Sequence, residues 1–147
     1  MNRCKLANEY HRRGFNCCQS VVAAFGDLTG LSEQECMNFT AGFGGGAATG
    51  ELCGAISGAI MTLGLLTPVD MNDPVGSKKR TMALSRDFQE RFAQRFGAVR
   101  CEELLKIKTT PNADDTPAAL ALGVTGHCPI MIVTAVEIVE EMLAERG

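Results

Sequence analysis

Residues 42–66 read GFGGGAATGELCGAISGAIMTLGLL. Two halves of opposite character meet in this stretch. Gly42, Gly44, Gly45, Gly46 and Gly50 make a loop whose backbone can take positive φ and leave its N–H groups uncovered. From Cys53 onward the pattern is helical, with Cys53, Ile56, Ile60 and Leu63 recurring at spacings of three and four. Gly54 and Gly58, and Ala55 and Ala59, put small residues four apart on adjoining faces, so a second helix can approach closely. The stretch therefore predicts the central helix of a bundle. No residue from Leu52 to Val69 is charged. The run is broken by Gly64, Thr67 and Pro68, however, and its helical part falls short of the about 20 apolar residues a bilayer span needs. It reads as a core helix. Cys53 stands at the junction, where free N–H donors and the positive end of a helix dipole bias a thiol towards thiolate.

Upstream, residues 2–13 predict a helix with Leu6, Ala7 and Tyr10 facing inward and Gly14 ending it. Cys4 and His11 share a face of that helix and read as packing residues. In GFNCCQSVVAAF, Asn16 is an N-cap and Cys17 and Cys18 open a helix. Its apolar face is Val21, Val22, Phe25 and Leu28, and Gly30 closes it. Ser32 with Glu35 forms a capping box for the next helix, which carries Cys36 as a buried thiol.

Downstream, Asp73-Pro74 opens a long helix over 74–96 in which Leu84, Phe88, Phe92 and Phe96 step by four as a core ridge. Lys78, Lys79, Arg80, Arg86, Arg91 and Arg95 lie largely off that ridge, and Gly97 ends the helix. Cys101 heads another helix, with Glu102 and Glu103 in its first turn. Residues 106–126 are the longest irregular stretch, a lid or wrapped loop with a helical turn at Ala118–Leu122. In His127-Cys128-Pro129, Pro129 fits the first helical position and Cys128 the N-cap of a terminal helix. That helix turns Ile132, Val136, Val139 and Leu143 to the core and Glu137, Glu140, Glu141 and Glu145 to water. The expectation is an all-α bundle of six or seven helices, without a sheet or internal repeat, in a single domain over 1–147.

Composition sets limits on function. The chain has 147 residues, 46% hydrophobic and 21% charged, enough to bury a real core. A net charge of −3, one tyrosine and no tryptophan give no support to nucleic acid or an anionic membrane as partner. The N-terminus, MNRCKLANEYHRRG, is charged from its third residue and lacks the apolar core of a signal peptide, which predicts a cytoplasmic protein. GFGGGA at 42–47 formally fits a dinucleotide fingerprint, but a capped helix precedes it where a strand is required, and no Gly-Lys-Ser/Thr follows for a phosphate loop.

Seven cysteines in such a chain point to reduced thiols rather than a static disulfide framework. Cys17, Cys53, Cys101 and Cys128 each fall near a predicted helix N-terminus, after a break containing glycine or asparagine. Cys4, Cys18 and Cys36 do not. None of the four forms a C-x-x-C pair, so any joint site exists only in the folded bundle.

The order GFNCCQ, then GFGGG and GELCGAISG, then CEELL, then HCP before a terminal helix resembles the C_GCAxxG_C_C family of redox-active proteins, over about residues 14–143. On this resemblance Cys17 matches the family's G-x-N-C-A-Q cysteine, Cys53 its G-E-x-C-G-A-x-x-G cysteine, and Cys101 and Cys128 the two later ones. Cys18 departs from the family's usual alanine and leaves open which of the adjacent thiols reacts. The resemblance implies an all-helical fold and a redox class, without a substrate.

Three functional readings follow. In the first, a pair among Cys17, Cys53, Cys101 and Cys128 cycles between dithiol and disulfide against a redox partner protein or a small disulfide or electrophile. Cys53 is the favoured attacker. Gly44, Gly45 and Gly46 offer N–H groups to an anion or cofactor, and Glu51 reads as a proton shuttle or a favourable first-turn acid. In the second, the same four cysteines hold zinc or an iron–sulfur cluster, with His127 as a substitute ligand. In the third, the chain is a helical interaction domain with packing cysteines. A Cys–His hydrolase is remote, because His127 adjoins Cys128 in sequence and no orienting carboxylate is identifiable. The small-residue faces would also suit a homodimer.

Overall fold

A computed structural model describes residues 1–107 and 116–146. Within the expected irregular stretch at 106–126, residues 108–115 lie outside the described residues. The described residues form nine α-helices and no strand: α1 Arg3–Arg12, α2 Cys17–Ala23, α3 Gly26–Thr29, α4 Glu33–Thr40, α5 Gly54–Leu65, α6 Pro74–Phe96, α7 Cys101–Ile107, α8 Pro117–Leu122 and α9 His127–Arg146. The all-α expectation holds, with more and shorter helices than expected.

Local signals place most of the helix ends. Asn16 accepts from the Gln19 N–H while the Gln19 side chain accepts from the Asn16 N–H, a complete capping box for α2. Ser32 and Glu35 repeat it for α4. Asp73 caps α6 with Pro74 at its first position, and Gly97 ends that helix with φ 78°. One expected helix is divided. The chain tightens at Ala24 and Phe25, so α2 stops and α3 starts with Phe25 as N-cap. The Ala24 carbonyl accepts from Arg3 at 3.0 Å, and the Arg3 guanidinium lies over the Phe25 ring and pairs with Asp27. The division turns Leu28 outward, contrary to expectation; it is 48% exposed.

The main core joins α1, α2, α5, α6, α7, α8 and α9, with Leu104 as the contribution of α7. The predicted ridge is present: Phe88, Phe92 and Phe96 are buried, and the Phe92 and Phe96 ring centroids lie 4.8 Å apart. The small faces of α5 serve α2, as expected. A Cβ at Gly58 would lie 3.0 Å from the Cys18 carbonyl oxygen and 3.2 Å from Val21 Cβ, so glycine is what lets the backbones meet there. Two expectations for α9 need correction. Every residue from Ile130 to Val136 is buried, not one face, because α1, α2, α5, α6 and α8 pack around the helix. Its acids do not simply face water: Glu145 pairs with Arg91 at 2.6 Å, and Glu137 and Glu141 pair with Arg95, tying α9 to α6. Among the described residues no helix is long and apolar enough to cross a membrane.

Between α4 and α5 the glycine loop takes an unusual path. Gly45, Gly46, Ala47 and Ala48 are consecutively left-handed, with φ of 62°, 64°, 56° and 64°. The turn is closed by the Glu51 N–H donating to the Gly46 carbonyl.

Candidate functional site

Each of the four singled-out cysteines stands at a helix head. Cys17 is the first residue of α2, Cys53 immediately precedes α5, Cys101 is the first residue of α7 and Cys128 is the second residue of α9. The expected N-cap role of Cys128 is off by two positions: α9 begins at His127, and Pro129 sits inside the first turn, where its missing N–H has no helical partner to lose.

Backbone contacts bring these heads together. Leu52 and Arg100 face each other across an isolated antiparallel bridge. On one side the Cys53 N–H donates to the Val99 carbonyl at 2.9 Å, and on the other the Cys101 N–H donates to the Glu51 carbonyl at 2.6 Å. The bridge sets Cys53 beside Cys101. The left-handed loop presses on the same place: a Cβ at Gly46 would lie 2.9 Å from Cys101 Cβ and 2.5 Å from the Glu51 nitrogen. Gly44 packs as closely on Asn16, the cap of α2. Gly54 approaches Cys17, whose Cβ would be 3.2 Å from a methyl there. Gly44 and Gly46 are thus accounted for by close packing around the thiols; Gly45 has open space about it. The Glu51 carboxylate, considered as a proton shuttle, instead pairs with Arg100 at 3.3 Å, and Glu102 and Glu103 flank the same guanidinium.

All four thiols feel one another electrostatically. Cys17 and Cys128 interact with each other electrostatically, and His11 from α1 acts on Cys128 in the direction that favours its thiolate. This arrangement favours one thiolate of the pair over the other. Cys17 keeps its proton, and the Cys128 thiol is held well below the ordinary range by Cys17 and His11 and by the charge of His127. The favoured attacker of the sequence reading, Cys53, has the opposite setting. It is 4% exposed, and burial pushes it up to about 11 even though the Ala55 and Ile56 N–H groups favour its thiolate. Cys101 is also raised, chiefly by burial.

The other three cysteines lie apart. Cys18 is fully buried, 3.9 Å from the Met61 sulfur, and pushed up to about 11. Of the adjacent thiols, Cys17 is therefore the one in the cluster. Cys36 packs in a smaller core with Tyr10, Val22, Ala23 and Met37. Cys4 donates to the Val133 carbonyl at 3.4 Å, and burial pushes it up to about 12.

His11 is the residue that sequence reasoning missed, having assigned it to packing. Its spacing from Cys4 puts both on the face of α1 that packs on α9, and that shared face was the available signal. Among the described residues no three His, Cys, Asp or Glu side chains are grouped as a ligand set for a metal ion. A cleft of about 300 Å³, lined among others by Asn8, Arg12, Thr125 and Pro129, lies beside the head of α9.

Comparison with known families matches residues 15–142 to a model described as "Putative redox-active protein (C_GCAxxG_C_C)". The chain belongs to the C_GCAxxG_C_C family. No curated protein and no solved structure matches it. The matched span contains all four clustered cysteines and leaves out His11. Family membership carries a general redox role.

Proposed function

We propose that this protein is a thiol–disulfide redox protein whose working pair is Cys17 and Cys128. The observation that supports the reading is the electrostatic coupling of these two half-buried helix-head thiols, with His11 favouring the Cys128 thiolate. Thiol–disulfide exchange needs one thiolate to attack and a second thiol close enough to resolve. The Cys128 thiolate attacks one sulfur of a substrate disulfide, forming a mixed disulfide and expelling the first substrate thiolate, which takes up a proton. Cys17 then gives up its proton and attacks Cys128 Sγ. The Cys17–Cys128 disulfide forms and the second substrate thiol leaves. Two electrons pass from the protein to the substrate, which is reduced to two thiols. His11 favours the Cys128 thiolate both before attack and on its later release.

On this reading the substrate would lie in the cleft lined by Pro129, the residue after Cys128. Arg12 lines it and has no ion pair among the described residues, so a disulfide bearing a carboxylate suits it.

The test is to reduce the protein anaerobically, add oxidised glutathione and map disulfides by peptide mass spectrometry. Wild type should acquire a Cys17–Cys128 disulfide. Cys17→Ser should accumulate glutathione on Cys128, and Cys128→Ser should acquire none there or on Cys17. Near-stoichiometric metal in anaerobically purified protein, lost in both variants, would replace this reading with the ligand one.

A further inference from the structure

The working pair leaves two thiols of the cluster without a task. Cys53 is too buried for an external disulfide to reach, and Cys101 lies beside it. Their neighbourhood is built by the backbone. In the bridge, Leu52 and Arg100 form the non-hydrogen-bonded pair, flanked by the two N–H to carbonyl bonds. Cys53 and Cys101 each follow a member of that pair, so the pleat sends both side chains to the ribbon face opposite Leu52 and Arg100. Diagonal neighbours of this kind have Cα atoms about 7–8 Å apart. A disulfide tolerates about 4.4–6.8 Å, so closure needs a shift on the order of 1 Å. The seven-residue α7 packs on the Gly46–Gly50 loop and seats Leu104 in the main core, and a small pivot about that anchor would bring Cys101 in.

We infer that Cys53 and Cys101 are a second, internal dithiol that re-reduces the Cys17–Cys128 disulfide by exchange within the cluster. This rests on Cys17 and Cys128 being the working pair. Cys101 loses its proton, to His11 or water, and attacks Cys17 Sγ. A Cys17–Cys101 bond forms, the Cys17–Cys128 bond breaks, and Cys128 leaves, because departure is easiest for the sulfur whose thiolate is best stabilised. Cys53 then loses its proton and attacks Cys101 Sγ, expelling Cys17, which takes up that proton. The internal dithiol is oxidised to a disulfide and the working disulfide is reduced; two electrons move outward. A fully reduced protein thereby holds four electrons, two at the entry pair and two behind it.

The experiment follows disulfides over time in wild-type protein, reduced anaerobically and treated with excess oxidised glutathione. Samples are acid-quenched, alkylated and mapped. The expected order is Cys17–Cys128 first, then Cys53–Cys101, with Cys4, Cys18 and Cys36 still alkylated. In Cys128→Ser, which removes the entry thiol, Cys53–Cys101 formation should slow at least about tenfold. Circular dichroism of that variant, matched to wild type, excludes misfolding as the cause. If Cys17–Cys128 forms while Cys53 and Cys101 stay alkylated, the inference fails and the working pair stands. Cys53–Cys101 formation at the wild-type rate in Cys128→Ser also overturns it, since oxidation then bypasses the exchange. If wild type forms no Cys17–Cys128 disulfide, the proposed function itself fails.

Discussion

Cys128 and Cys53 both stand at helix heads, where dipole and free N–H groups favour a thiolate, yet their ionisation is driven apart. The helix head is common to both, so the difference comes from burial and from side-chain neighbours. Cys128 has the Cys17 thiol and the His11 ring; Cys53 has only backbone N–H groups and a dry site. Since the Cys128 value is lowered, its thiolate persists as pH falls through the range where an ordinary thiol, near 8.5, takes up its proton. Iodoacetamide labelling of the reduced protein, read peptide by peptide, should therefore stay fast at Cys128 well below pH 8, while Cys53 labels only under strongly alkaline conditions. His11→Ala removes one of these neighbours and should move the Cys128 inflection upward. An unchanged inflection would show that His11 does not set it. In the cleft, Arg12→Glu should raise KM for oxidised glutathione several-fold with little change in kcat, as loss of a binding contact away from the reacting sulfurs. The four helix-head cysteines were legible in sequence, because Asn16, the glycine loop, Glu102 with Glu103, and Pro129 mark helix starts locally. His11 was not legible as a site residue. What makes it one is the packing of α1 on α9, a contact between opposite ends of the chain.

At the scale of elements, the spacing of Gly54 and Gly58 is a packing requirement between α5 and α2. Replacing glycine by alanine in an ordinary helix is favourable by up to about 1 kcal/mol. At Gly58 the new methyl would meet the Cys18 carbonyl oxygen and Val21 at 3.0 and 3.2 Å, and the first of these is backbone. Overpacking costs about 1–3 kcal/mol, so Gly58→Ala should destabilise the protein in urea unfolding despite its better helix propensity. The left-handed loop gives the opposite sign. Ala47 and Ala48 carry φ of 56° and 64°, a conformation that costs a residue with a Cβ about 1–2 kcal/mol. Ala48→Gly relieves this and gives back about 0.5–1 kcal/mol through unfolded-chain entropy, leaving a small net gain in urea midpoint. Helix ends with capping boxes were readable because the signal lies within four residues. The break between α2 and α3 was not, since Arg3 takes the freed Ala24 carbonyl from another helix. The all-round burial of α9 also escaped periodicity, because five helices surround it and no solvent face remains along Ile130–Val136 to set a period.

Across the whole molecule, the buried thiols make stability depend on pH in a direction opposite to Cys128. Cys4 is pushed up to about 12, and Cys18 and Cys53 each up to about 11. A group whose folded value is raised contributes stability that is fully present below its unfolded value, about 8.5, and is lost as pH rises towards the folded value. The same residues that keep the core dry thus become a liability in alkali. Between pH 9 and 11 each such thiol is ionised in the unfolded chain and protonated in the folded one, so each lowers stability by about 1.4 kcal/mol per pH unit at most. Cys128, lowered in the fold, contributes the reverse: its share is present above about pH 8.5 and fades as pH falls through its folded value. The expected profile is a plateau near neutrality and a steep decline above pH 9. Cys18 separates this cause from general alkaline damage. It is fully buried against α5, with its sulfur 3.9 Å from that of Met61, and it is not among the thiols that act on Cys17 or Cys128. Cys18→Ala removes one titrating thiol at the cost of a small cavity. Urea midpoints at a series of pH values should place the variant slightly below wild type at pH 7, with a shallower decline above pH 9, so that the two curves converge or cross. Parallel curves would mean that Cys18 ionises alike in the folded and unfolded chain, and that its burial is not what raises it.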